Sequence, residues 1–187
     1  VALSRDGYRV AISAPNHDTN IGTIQVYEYD NTTLDWIQMG SDIDGTSSYD
    51  YSGGKGYNNT IAFGGYELAT TKWGNTLVIG HPDSTNGSVR IFQWNGSIWS
   101  QMGPVLNGAA SGDQFGFSVA IDRNGNTIII GAPGNAGGGT DNGAAYVYSL
   151  TSGTWTQKGD TLLGPRNNSL FGCSVDIDKD GSYIIIG

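Results

Sequence analysis

Apolar residues in this chain gather in short runs rather than in helical stripes. Val10-Ala11-Ile12, Leu77-Val78-Ile79, Ile128-Ile129-Ile130 and Ile184-Ile185-Ile186 are apolar at successive positions. The first three run into Ser13-Ala14-Pro15, Gly80-His81-Pro82 and Gly131-Ala132-Pro133, and the fourth into Gly187. Runs this short and this rich in β-branched residues read as strands buried on both faces, and the proline ends each because it cannot donate to a sheet ladder. The segment before the third run alternates instead. Phe115-Gly116-Phe117-Ser118-Val119-Ala120-Ile121 places large and small residues at every other position, as a strand with one buried face does. Asp122-Arg123-Asn124-Gly125 between the two supplies an Asn-Gly pair suited to an antiparallel hairpin. Ala144 to Leu150 and Trp155 to Gln157, separated by the turn Thr151-Ser152-Gly153, add two more strands. The pattern predicts four antiparallel strands and no helix.

This unit recurs. W-x-Q-x-G stands at Trp36 to Gly40, Trp99 to Gly103 and Trp155 to Gly159, with the tryptophans 63 and 56 residues apart (99 − 36 and 155 − 99). Phe-Gly pairs stand at Phe63-Gly64, Phe115-Gly116 and Phe171-Gly172. The turn joining the first two strands is expected at Arg5-Asp6-Gly7, Lys72-Trp73-Gly74, Arg123-Asn124-Gly125 and Lys179-Asp180-Gly181. Four antiparallel strands in about 50–60 residues make one blade of a β-propeller. Neighbouring blades must cover both faces of such a unit, hence the apolar residues at successive positions of the second strand. The expected fold is all-β: a partial β-propeller of four-stranded antiparallel blades, about three plus part of a fourth. It forms a single segment with repeats at approximately 1–45, 46–108, 109–164 and, incomplete, 165–187. Because both ends carry the same first-and-second-strand element, the segment is expected to be part of a larger propeller, with the remaining blades of its parent as partners.

The combination F-G-x-S-V-A-I with G-A-P, at Phe115 to Ile121 and Gly131 to Pro133, resembles the FG-GAP repeat of the integrin α-subunit N-terminal propeller and its microbial relatives. Phe171-Gly172 with Ser174-Val175 repeats the first half, and Ala14-Pro15 and Gly80/Pro82 repeat parts of the second. The resemblance implies a propeller acting in adhesion or ligand recognition on extracellular or cell-surface proteins, sometimes beside enzyme domains. Relatives often expand the first turn into a calcium-binding D-x-D-x-D-G-x-x-D loop. Here Asp176, Asp178 and Asp180 spell the first part, but Ile184 holds the closing carboxylate position. Calcium takes six to eight converging oxygens, which a two-residue hairpin turn does not wrap, so no cofactor is expected.

Composition narrows the partners. The formal charge is −8, from 17 acidic and 9 basic residues, and no basic stripe exists, which excludes nucleic acid as a partner. No apolar run approaches the length of a membrane span. The single cysteine, Cys173, is expected to be a small buried hydrophobe. Sequons at Asn31, Asn58, Asn86, Asn95 and Asn167 fit a secreted parent.

No catalytic constellation emerges, and the chain is expected not to be an enzyme. His17 and His81 follow equivalent second strands, with Asp18 and Asp83 nearby, and are expected to be solvated loop residues. The aperiodic stretch from Thr46 to Asn59 holds Tyr49, Asp50, Tyr51 and Tyr57 among Ser and Gly, a composition that suits binding loops. It is also expected to account for the longer first repeat. Together with the loops at 16–21, 83–86, 107–114 and 134–142, it should lie on one face, opposite the tight first-to-second turns. The candidate ligand-binding residues are Tyr49, Asp50, Tyr51, Tyr57, His17, Asp18, Asp83, Asp141 and Asn142. The expected function is recognition of a protein or glycan through that face. The alternatives are a structural spacer in a large surface protein, or an accessory propeller of an enzyme whose active site lies elsewhere.

Overall fold

A computed structural model describes residues 1–17, 21–46, 61–67, 72–137 and 141–187. Every regular element among them is a strand. The first sheet contains β1 (Ala2–Leu3), β2 (Arg9–Ala14), β3 (Thr23–Asp30) and β4 (Asp35–Gln38) in that order, with β5 (Ile43–Asp44) also paired to β3. The second contains β6 (Ile61–Glu67), β7 (Lys72–His81), β8 (Ser88–Trp94), β9 (Trp99–Gln101) and β10 (Leu106–Asn107). The third repeats the plan with β11 (Ser118–Ile121), β12 (Thr127–Ala132), β13 (Ala144–Thr151), β14 (Thr154–Gln157) and β15 (Leu162–Leu163). A two-stranded sheet of β16 (Val175–Ile177) and β17 (Ile184–Ile186) follows. All strand pairings are antiparallel.

The first strands of successive sheets lie against one another, β1 on β6, β6 on β11 and β11 on β16. They line an open cleft of about 450 Å³ whose walls include Leu3, Ile61, Ala120 and Val175. The sheets therefore fan around their first strands, which is the propeller arrangement.

The core is divided between the sheets rather than within them. Ile24, Val26 and Met39 of the first sheet pack with Leu77, Ile79 and Phe92 of the second. Val78, Val89 and Ile91 of the second pack with Val119, Ile128, Ile130 and Trp155 of the third. Ile129 and Ala120 of the third pack with Val175 of the fourth. In β12, odd and even positions thus face different neighbours, and all six residues are buried. Burying one such side chain fully stabilises the fold by roughly 1.5–3 kcal/mol relative to leaving it exposed.

The two halves of the sequence signature meet across blades. Gly116 of one Phe-Gly pair lies so close to Gly80 of the preceding blade that a Cβ on Gly80 would stand 2.0 Å from the Gly116 carbonyl oxygen. Gly131 and Gly172 repeat the arrangement: a Cβ on Gly131 would stand 2.0 Å from the Gly172 carbonyl oxygen. Phe115 and Phe171 bridge in parallel to Gly87 and Gly143 of the preceding blade. The signature is therefore an inter-blade clasp.

W-x-Q-x-G has an equally local cause. Its glycines, Gly40, Gly103 and Gly159, adopt φ of 72°, 75° and 77°, a left-handed bend that side chains disfavour. Each bend interrupts the fourth strand, which then rejoins the third strand as β5, β10 or β15. The glutamine amide spans the bend, donating to Asp42 Oδ1 (2.6 Å), to the Gly103 carbonyl (3.0 Å) and to the Gly159 carbonyl (3.3 Å).

The second blade departs from its expected alignment. Ile61 pairs with Ile79 and Phe63 with Leu77, where Val119 pairs with Ile130 and Ile121 with Ile128. Phe63-Gly64 therefore matches Ile121-Asp122 in register and is not the Phe-Gly half of the signature. The hairpin continues to a Glu67–Lys72 pair, with an irregularity between Gly64 and Tyr66. Lys72-Trp73-Gly74 is strand, not the expected turn. The extra length of the first repeat thus lies partly in this hairpin and not only in the stretch after Thr46.

Candidate functional site

The connections from second to third strand and from fourth strand to the next blade share one face. Their backbones interlock there: the Gly112 amide donates to the Thr85 carbonyl (3.1 Å), and the Gly134 amide to the Asp113 carbonyl (3.2 Å). The tight turns occupy the other face. Asp122 Oδ1 accepts the amides of Asn126 and Thr127 at 2.7 and 3.0 Å, and Asp178 Oδ1 accepts those of Ser182 and Tyr183 at 2.7 and 2.9 Å. The hydrogen bond from Tyr183 is the main reason that the Asp178 carboxyl lies below its ordinary pKa of 3.8.

That geometry gives Asp178 to its own turn. Asp176 Oδ1 accepts the adjacent Ile177 amide (2.8 Å), and Asp180 pairs with Lys179 (3.7 Å). Among the described residues, no group of three or more His, Cys, Asp or Glu side chains is placed to hold a metal ion.

The expected ligand-binding residues are distributed over three blades. His17 is exposed in the first blade's loop, and its carbonyl accepts the Gly22 amide (3.1 Å). Asp83 is half-buried in the second blade's loop. Asp141, exposed with φ 47°, receives the Leu170 amide on its carbonyl (3.3 Å). Asn142 is buried, and its side-chain amide donates to the Gly164 carbonyl (3.3 Å), a bond that Asn86 repeats to Gly108 (3.2 Å). Asn142 thus serves the architecture, as its recurrence shows. Asp18, Tyr49, Asp50, Tyr51 and Tyr57 lie outside the described residues.

Two further expectations change. His81 is the last residue of β7 and almost fully buried, at the position that Ala132 fills one blade later, so it is not a solvated loop histidine. Cys173 is half-buried rather than buried, and the burial it has pushes its thiol pKa up.

The feature that sequence reasoning missed is a cleft of about 470 Å³ on the long-loop face of the second blade. Its walls are Thr46, residues 84–88, and Val105 and Asn107 at the rejoined end of the fourth strand. Loop length creates it. From the second-strand glycine to the left-handed glycine before the third strand is seven residues in the second blade (87 − 80) and twelve in the third (143 − 131). The longer loop reaches over the equivalent place, bringing Gly137 beside Leu163 of β15. The shorter one leaves the strand ends open. A comparison of those two spacings in the sequence was the available signal.

The sheets, their fan-like order and this constant scaffold with variable loops define an all-β propeller architecture. Comparison with known proteins agrees: residues 105–148 match the FG-GAP repeat. TolB from Acinetobacter baumannii aligns with a TM-score of 0.51 at 14% identity, over 99% of this chain and 36% of its own. A protein from Lactobacillus plantarum aligns at 0.48 and 16% identity, over 83% of this chain and 37% of its own. The chain spans little more than a third of either structure's length, and the likeness to TolB shows the fold alone. No curated protein matches the chain.

Proposed function

We propose that this chain is a non-enzymatic recognition module, a propeller segment that binds a protein or glycan ligand through its long-loop face. The cleft beside Thr46 carries this reading, because it opens where the loops vary while the rest of the blade repeats. By composition, the stretch after Thr46, with Tyr49, Tyr51 and Tyr57 among Ser and Gly, suits a binding loop. Deleting residues 49–57 tests it directly. Binding to a protein or glycan array should fall at least tenfold with the melting temperature little changed, and unchanged binding would remove this face from consideration.

We further propose that additional blades of a longer parent cover the first and last sheets here. The support is chemical: Leu3, Ile12 and Trp36 on one end sheet and Ile185 on the other are exposed at positions that are interfacial in the interior blades. The segment should enhance the fluorescence of an apolar dye, and the parent with its flanking blades should not. Equal enhancement by both would contradict the proposal. A secreted or surface location of that parent fits the exposed sequon asparagines Asn31, Asn95 and Asn167. Mass spectrometry of protein secreted from eukaryotic cells should find glycans there, and unmodified asparagines would remove that support.

A further inference from the structure

We infer that the second-blade cleft binds a neutral, hydroxyl-rich ligand, namely an uncharged oligosaccharide; this rests on the recognition reading above and names its ligand class. None of the cleft's lining residues is ionisable, so it has no cation to hold a phosphate, sulfate or carboxylate and no anion to hold an amine. The chain as a whole carries a net charge of −8, which further disfavours polyanions.

What the cleft offers is a set of uncharged donors and acceptors. Asn86 gives one side-chain N–H to the Gly108 carbonyl (3.2 Å), and Asn107 gives one to the Val105 carbonyl (3.4 Å). Both partners are carbonyl oxygens, which fixes the amide orientation and leaves each amide its Oδ1 acceptor and a second N–H. Ser84 Oγ donates to the His81 carbonyl (2.9 Å) and lies 3.3 Å from Ser88 Oγ. Its lone pairs and the Thr85 hydroxyl complete a set of uncharged oxygens. A matching ligand must present uncharged groups that both donate and accept hydrogen bonds. Sugar hydroxyls do so, and each can also accept from a Ser or Thr hydroxyl. The volume of about 470 Å³ is within the range of small-ligand sites, roughly 300–1,000 Å³. Most such sites are largely apolar, whereas the carbon surface of this wall, from Val105 and the Thr, Ser and Gly carbons, is matched by its polar surface. A sugar, with both C–H and O–H faces, fits that mixture better than a lipid.

The test is an array of neutral, sialylated and sulfated oligosaccharides, probed with the wild-type chain, Thr85→Trp and Asn107→Leu. Thr85 and Asn107 are both exposed, so neither substitution should disturb the core, and both variants should melt with the wild type. Neutral oligosaccharides should bind the wild type, with loss of at least tenfold in Thr85→Trp, which fills the cleft, and a smaller loss in Asn107→Leu. Preference for sialylated or sulfated glycans, no glycan binding, or neutral-glycan binding unchanged in both variants would each overturn the inference. Protein binding that survives both variants but is lost on deleting residues 49–57 would overturn the cleft ligand while leaving the long-loop face as the recognition surface.

Discussion

The first and third blades share a fold and a sequence pattern, yet the same positions meet different surroundings. Ile130 of the third blade is 0% exposed and its counterpart Ile12 in the first is 42% exposed; Trp155 is 5% exposed and Trp36 is 41%. Pairing with the third strand does not cause this, since β2 pairs with β3 and β12 with β13 over six corresponding residues. The difference is the blade before. Trp155 lies on the second blade, its ring edge 4.0 Å from where a Cβ on Gly103 would be, whereas the 41% exposed Trp36 meets Tyr29 of its own blade in an edge contact at 5.4 Å. A blade thus supplies its own strand ladder but only half of a core. Stability in such an array comes from interfaces between repeats as much as from the repeats.

Truncating the shared tryptophan should show the largest effect. Trp155→Ala should lose about 3–5 kcal/mol in chemical denaturation, as buried aromatic truncations do. Trp36→Ala should lose about 1 kcal/mol, near the worth of one exposed edge contact. Equal losses would erase the distinction between the blades. Next in size is the glycine clasp. Gly131→Ala places a Cβ 2.0 Å from the Gly172 carbonyl oxygen and should cost about 1–3 kcal/mol by overpacking. The loss should appear first as faster proteolysis after Phe171, on the far side of that interface. Gly131→Ala with wild-type stability and wild-type cleavage would show that the clasp is not tight.

The smallest effect belongs to the turns. The Asp178 pKa lies below its ordinary 3.8 in the folded chain, so its contribution is present above about pH 4 and is lost as the pH falls through the lower folded value. Asp178→Asn should flatten that part of the stability–pH curve and leave neutral-pH stability slightly reduced. An unchanged acid limb would show that the carboxylate contributes nothing through those amides.

Much of the fold was legible because it is built from short-range rules repeated several times. Apolar residues at successive positions of Ile128-Ile129-Ile130 required cover on two faces, and two neighbouring blades supply it. Where one copy departs from the others, matching letters misled. Phe63-Gly64 resembles the signature, but Ile61-Ala62-Phe63 is the stretch that matches Val119-Ala120-Ile121 in register. The functional face was legible only as loop composition. The cleft itself was not, because it arises from how far one loop reaches over strand ends that the sequence places some twenty residues away (107 − 87). His81 was misplaced for a related reason: its position in the strand, not its residue type, decides that it is buried.

Hydrogen exchange of the four second strands tests the blade-on-blade arrangement most directly. Amides of residues 77–79 and 128–130, enclosed between two neighbours, should exchange slowest. Those of residues 10–12 and 184–186, each at an end sheet, should exchange at least tenfold faster. Uniform protection across all four strands would contradict a core divided between consecutive blades.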